Sequence, residues 1–225
     1  MFKSKSQILW LYLISGLLVL ALYNSDPDWR SRIDVLGDCL LTGWIASLMN
    51  IVLFQGGLGK LFGIRPREPL GLLGIPFSAF FHRDIGHLVT NTVPFLMLGW
   101  LVVAQGGLQG EDDFYAITVT ILLLGGFGTW LFGRKAIHLG ASGLIFGYIG
   151  FLLASGYSGP TLLTLGFGVI VFLLYGSQLW GMMPSSSEET ISWEGHLFGF
   201  LGGAIAAVEP DILIKVAEAL DNLVQ

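Results

Sequence analysis

Residues 193–208 read Trp-Glu-Gly-His-Leu-Phe-Gly-Phe-Leu-Gly-Gly-Ala-Ile-Ala-Ala-Val, and the placement of the small residues decides how this chain packs. Gly195, Gly199, Gly203 and Ala207 recur every four residues, so on a helix they form a stripe without bulky side chains. Gly143, Gly147 and Gly150 make a second stripe within residues 140–157. In lipid, helices associate by packing and interhelical hydrogen bonds, and such stripes let two backbones approach closely. Each stripe also has one polar neighbour near its start: Ser142 before Gly143, and His196 after Gly195. If the stripes face each other, a hydroxyl and an imidazole meet at one depth.

The rest of the chain places those stripes in a membrane. Of 225 residues, 53% are apolar and 12% charged, and mean hydropathy is +0.73. Apolar runs of about 20 residues are what a helix needs to cross the hydrocarbon core. Seven are expected, at 7–23, 36–54, 86–104, 114–132, 140–157, 161–180 and 193–208. They are apolar all round rather than alternating, which excludes a β-barrel. The expected fold is an all-α, polytopic membrane helical bundle. The first run is too long for a signal peptide and lacks a small-x-small cleavage site, so residues 1–30 are expected to form an uncleaved anchor helix. Residues 31–210 would be the core. After Pro210, Leu213, Val216, Leu220 and Leu223 recur at helical spacing, and residues 211–225 read as a short amphipathic helix at the interface.

Composition also excludes functions. The net charge of −5 with no basic patch argues against nucleic acid as a partner, and the single Cys39 excludes a disulfide framework or a cysteine zinc site. No H-E-x-x-H and no carboxylate at ligand spacing accompanies the histidines, so no metal and no cofactor is expected.

A serine hydroxyl is a weak nucleophile until a base takes its proton, and imidazole is the usual base. An intramembrane serine is more often a packing residue, whereas an intramembrane histidine is a functional-site hypothesis by default. Gly140-Ala141-Ser142-Gly143 keeps the backbone around the hydroxyl uncrowded. His87 and Asn91, four residues apart, share a helix face and could donate hydrogen bonds to an oxyanion. Asn91 also precedes Pro94, so its amide could instead serve freed backbone at a kink. His82 reads equally as a water-satisfied loop histidine or as a supporting group. His138, beside Arg134 and Lys135, is assigned no chemistry.

These residues resemble the rhomboid intramembrane serine proteases, over approximately residues 40–208. His82, His87 and Asn91 resemble the family's H-x4-H-x3-N segment, Gly140 to Gly143 its G-x-S-G, and Gly195-His196 with Gly199 and Gly203 its last core helix. Phe62-Gly63-Ile64-Arg65-Pro66-Arg67 is similar to a bacterial branch, which implies the bacterial cell membrane. The resemblance implies a six-helix core plus one extra amino-terminal helix, with Ser142 as nucleophile and His196 as base. It implies an oxyanion hole from His87, Asn91 and the Ser142 amide, a first loop at 55–85, and a flap over the site at 181–192. Partners would be membrane lipid and single-span transmembrane protein substrates cut near a helix end. The family's first-loop Trp-Arg pair is absent. Phe146 stands where the best-known members have a tyrosine, so a stack on His196 without a hydroxyl contact is expected. Trp193 occupies a position often small and polar. The alternative is a catalytically silent rhomboid-fold protein that binds or escorts membrane clients; a transporter is less consistent with the absence of charge deep in the spans.

Overall fold

A computed structural model describes residues 27–105, 111–184 and 192–224, with positions 17 and 24. The expected first span, apart from Leu17, and residues 185–191 of the expected flap lie outside the described residues.

Helix α1 runs Pro27–Leu48 and continues as a wider π turn over Met49–Leu53. Proline suits its first position, where an amide hydrogen would have no helical acceptor. The division expected between residues 30 and 31 therefore falls inside a helix. Among the described residues, four apolar stretches have spanning length: Ile33–Leu53, Ile85–Gln105, Asp113–Phe132 and Leu162–Met182. They are α1, α4 (Ile85–Gln105), α5 (Glu111–Phe132) and α7 (Leu162–Tyr175) with its 3-10 extension Gly176–Met182.

The helices carrying Ser142 and His196 keep nearly the bounds that the sequence suggests, and both are short. Helix α6 (Ser142–Ser158) has 17 residues and α8 (Trp193–Val208) has 16. At about 1.5 Å per residue they extend about 26 and 24 Å, less than a hydrocarbon core of about 30 Å. Both start at the site, with Ser142 and Trp193 as their first helical residues. Helix α6 is the centre of the bundle, buried continuously from Leu144 to Leu152, with α4, α5, α7 and α8 around it. Helix α7 is peripheral and presents Leu165, Val169 and Phe172 outward, as a lipid-facing surface would. After α8 the chain bends by 92° into α9 (Ile212–Val224), which carries the amphipathic pattern.

The first loop is folded rather than open. It contains α2 (Gly57–Phe62), a 3-10 turn at Pro69–Leu73, α3 (Gly74–Phe77) and a second 3-10 turn at Ser78–Phe80. The Arg67 amide donates to the Trp130 carbonyl at 3.0 Å, and its guanidinium donates to the Leu131 carbonyl at 2.9 Å. The last carbonyls of α5 lack helical partners, and a cation there is favoured by the helix dipole. The Trp130 indole returns a bond to Glu68 O at 2.9 Å. Ile64 and His138 exchange backbone bonds of 2.9 Å in both directions. The loop is thus fastened to the segment that leads into Ser142.

Candidate active site

Ser142 is the first residue of α6, reached through a turn that is held from two sides. The Gly140 amide donates to Ser78 O at 2.9 Å, and the Ala141 amide donates to Nε2 of His82 at 3.2 Å. Gly140 has φ +111°, a conformation side chains resist, and an added Cβ would stand 2.6 Å from Cε1 of the His87 ring. Glycine is required there twice over. As the first helical residue, Ser142 has an amide with no acceptor within its helix, at the positive end of the helix dipole.

His82 is 3% exposed and fully committed. Ser47 of α1 donates its hydroxyl to Phe80 O at 2.9 Å, so its oxygen accepts from His82 Nδ1 at 2.8 Å, and Nε2 is left to accept from Ala141. Asn50 donates to His82 O at 3.1 Å. Burial, then the nearby His87 ring, push the His82 pKa down to about 4, so the ring is neutral near pH 7. Of the two roles open to His82, the geometry corresponds to the supporting one.

His196 lies on α8, whose start is capped by Ser192: Oγ accepts from the Gly195 amide at 3.1 Å, and Ser192 O accepts from the His196 amide at 3.1 Å. The His196 Nδ1 lies 3.0 Å from Gly181 O. A carbonyl only accepts, so Nδ1 carries the proton and Nε2 keeps its lone pair. Phe146, one turn beyond Ser142, stacks on the imidazole at 4.1 Å between centroids and 6° between planes. That is the stack expected of a phenyl ring at this position.

The two glycine stripes face each other. An added Cβ on Gly143 would lie 3.2 Å from Gly195 O. One on Gly199 would overlap the Gly143 carbonyl oxygen, and one on Gly203 that of Gly147. Backbone meets backbone, which is why the first turns of α6 and α8 lie side by side.

Ser142, His196, His87, Asn91, Arg83 and Gln178 line one cavity of about 430 Å³. Asp84 accepts from the His87 amide at 2.8 Å and so caps the start of α4 beneath that ring. His87 Nδ1 and Asn91 Nδ2 are buried and make no hydrogen bond among the described residues. Asn91 Nδ2 is therefore not spent on backbone near Pro94. An unsatisfied buried polar group costs about 1–3 kcal/mol, so two beside one cavity call for an explanation.

Three features escaped the sequence analysis. His138 is buried at 4% exposure and hydrogen-bonded through both ring nitrogens, to Ser192 Oγ at 2.7 Å and Arg134 O at 3.1 Å. Burial lowers its pKa. Glu194, beside His196 in sequence distance of two, is 1% exposed and accepts from the Arg134 amide at 3.1 Å. Ser192 falls at the end of the expected flap, and a serine immediately before an apolar helical run is an ordinary capping signal. Among the described residues, no three of His, Cys, Asp and Glu converge as metal ligands.

A family model for the rhomboid domain matches residues 70–209. A Mycobacterium tuberculosis protein is 37% identical over 191 residues, covering 80% of this chain and 76% of that protein. A Mycobacterium leprae protein is 37% identical over 155 residues, covering 64% and 59%. A protein of Acanthamoeba polyphaga mimivirus whose name calls it a rhomboid protein is 30% identical over 132 residues, covering 57% and 70%.

Proposed function

Because this chain belongs to the rhomboid family and is a multi-pass integral membrane protein, we propose that it is an intramembrane serine endopeptidase working through Ser142 and His196. The observation that carries the reading is the cavity itself. It holds a serine, an imidazole with its Nε2 lone pair unspent, and two buried nitrogens without partners.

Ser142 Oγ attacks the scissile carbonyl carbon as His196 Nε2 takes its proton. The carbonyl oxygen becomes an oxyanion and is met by Asn91 Nδ2, the His87 ring and the Ser142 amide, donors fixed before the reaction begins. The intermediate collapses, His196 passes its proton to the leaving amine, and an acyl-Ser142 ester remains. Water then gives its proton to His196 and attacks the ester, and the same proton returns to Ser142 Oγ. No carboxylate is required to orient the base, since Gly181 O holds the productive tautomer.

Substrates on this reading are single-span membrane proteins in the surrounding lipid, cut near a helix end. A helical peptide bond is shielded by its own side chains and hydrogen bonds, so the segment must unwind to reach Ser142. Small residues at the cut and Gly or Pro beyond it favour that. The second reading, a silent binder of membrane clients, gives no reason to keep two unpartnered polar nitrogens on residues that line the cavity with Ser142 and His196. Covalent labelling of purified protein by a fluorophosphonate separates the two. Labelling that vanishes in Ser142→Ala is expected, and an unlabelled native protein returns the chain to the binding reading.

A further inference from the structure

The site contains a second serine–histidine pair, with the order of the residues exchanged. His138 lies four residues before Ser142, and Ser192 lies four residues before His196. The two side chains are 2.7 Å apart. The direction of each bond in this pair is fixed. Arg134 O only accepts, so His138 Nε2 donates to it at 3.1 Å, and Nδ1 is the acceptor left for the Ser192 hydroxyl hydrogen. The Ser192 oxygen in turn accepts from the Gly195 amide at 3.1 Å. Both roles of that hydroxyl are taken, and the side chain has one orientation. The carbonyl of the same residue holds the His196 amide at 3.1 Å.

A second tie runs in parallel. Glu194 Oε1 accepts from the Arg134 amide at 3.1 Å, and its other oxygen lies 3.7 Å from the Arg134 guanidinium. Residues 134–138 are themselves held to the first loop by the backbone pair of Ile64 and His138. The glycine seam brings α6 and α8 together backbone on backbone, with no side chain of the four seam glycines to mark a register. The polar ties fix where α8 starts along it.

We infer that His138 is a positioning residue for His196. Acting through Ser192, it sets the register between the segment that leads into Ser142 and the turn that carries the base. The inference rests on the protease reading, and reacting groups displaced by about 1 Å can lose about 100-fold in rate. His138→Phe fills the space and removes both bonds; His138→Gln keeps one donor and one acceptor; Ser192→Ala removes the other partner.

The experiment measures kcat and KM in detergent on a fluorogenic single-span reporter with small residues at the cut and Gly-Pro beyond. Rates are normalised to sites titrated by fluorophosphonate, so unfolded protein does not count. The expected result is a kcat about 10–100-fold lower for His138→Phe with KM within about twofold. His138→Gln should restore most of the rate, and His138→Phe/Ser192→Ala should lose little more than either change alone. An unchanged kcat per titrated site in His138→Phe or in Ser192→Ala overturns the inference, as do losses that multiply in the double variant. If His138→Phe yields no folded protein, Ser192→Ala and His138→Gln decide it. A native protein that is neither labelled nor active overturns the protease reading and this inference together, whereas an active protein indifferent to His138 overturns this inference alone.

Discussion

The seam between α6 and α8 and the polar scaffold behind it hold the same two residues by opposite means. In the seam, Gly143, Gly147, Gly199 and Gly203 contribute no side chain, and contact is made by backbone on backbone. In the scaffold, each candidate catalytic residue has a buried histidine behind it. His82 holds the amide before Ser142, and His138 holds the serine that caps the helix of His196. The seam supplies proximity, and the scaffold supplies direction. Of the chain's four histidines, His87 and His196 thus line the cavity, while His82 and His138 have both ring nitrogens occupied.

The largest expected effects lie where both means converge. Ser142→Ala and His196→Ala should each lower cleavage by at least about 10⁴-fold while the fold persists, and the double variant should lose little more, because the pair acts as a unit. Rates on the single-span reporter, with thermal unfolding in detergent as the control for folding, test this. Substantial cleavage by Ser142→Ala would exclude the serine mechanism.

A change in the seam should act differently, by separating the helices. Gly199→Leu places a side chain into the Gly143 carbonyl, backbone that has nowhere to move. Overpacking of this kind costs about 3 kcal/mol, a fall in Tm of about 6–12 °C for a chain of this size. Labelling of Ser142 should disappear with it. Full stability and full labelling in that variant would break the distinction between seam and scaffold at its root.

The two regions also differ in how far the sequence discloses them. The seam is written in local periodicity: glycines at every fourth position, and His87 with Asn91 one turn apart. Such patterns identify a face without knowledge of what it meets. The scaffold has no period. His138 meets Ser192 across 54 residues, and the Arg134 amide meets Glu194 across 60. Nothing nearby in sequence marks His138 as buried, since Arg134 and Lys135 beside it suggest a solvated loop. Hydropathy placed α6 and α8 within two residues of their observed bounds, because both are predominantly apolar along their length. The Phe146 stack was expected only through the family resemblance, since one turn of spacing puts Phe146 on the face of Ser142 without naming the ring that it meets.

Asn91 separates activity from stability. Its Nδ2 is buried without a partner among the described residues, which is a cost in the resting protein, and on the proposed mechanism it becomes a gain once an oxyanion forms. Asn91→Ala should lower kcat by about 10²–10³, the usual loss for one such donor, while the thermal midpoint stays level or rises. A fall in stability equal to the fall in rate would assign Asn91 to the scaffold instead.

The smallest effect concerns pH and isolates the scaffold alone. His82 has its pKa pushed down to about 4 by burial and by the neighbouring His87, with Asp84 opposing. In the unfolded chain an ordinary histidine titrates near 6.5. Between these values the unfolded state binds the proton and the folded state does not. Stability from this group is therefore fully present above about pH 6.5 and is lost as pH falls toward 4. Protonation would also place a hydrogen on Nε2, where the Ala141 amide already donates, so the turn into Ser142 should loosen in the same window. Burial lowers the His138 pKa too, which adds to the slope in the same direction. His82→Gln distinguishes the two, since it retains a donor for Ser47 and an acceptor for Ala141 but does not titrate. Thermal unfolding at pH 7.5, 6.0 and 5.0 should show a midpoint that falls with pH in the native protein and falls less in His82→Gln. Parallel slopes in the two proteins would mean that the proton is taken up elsewhere, and that His82 does not hold the serine turn as a neutral ring.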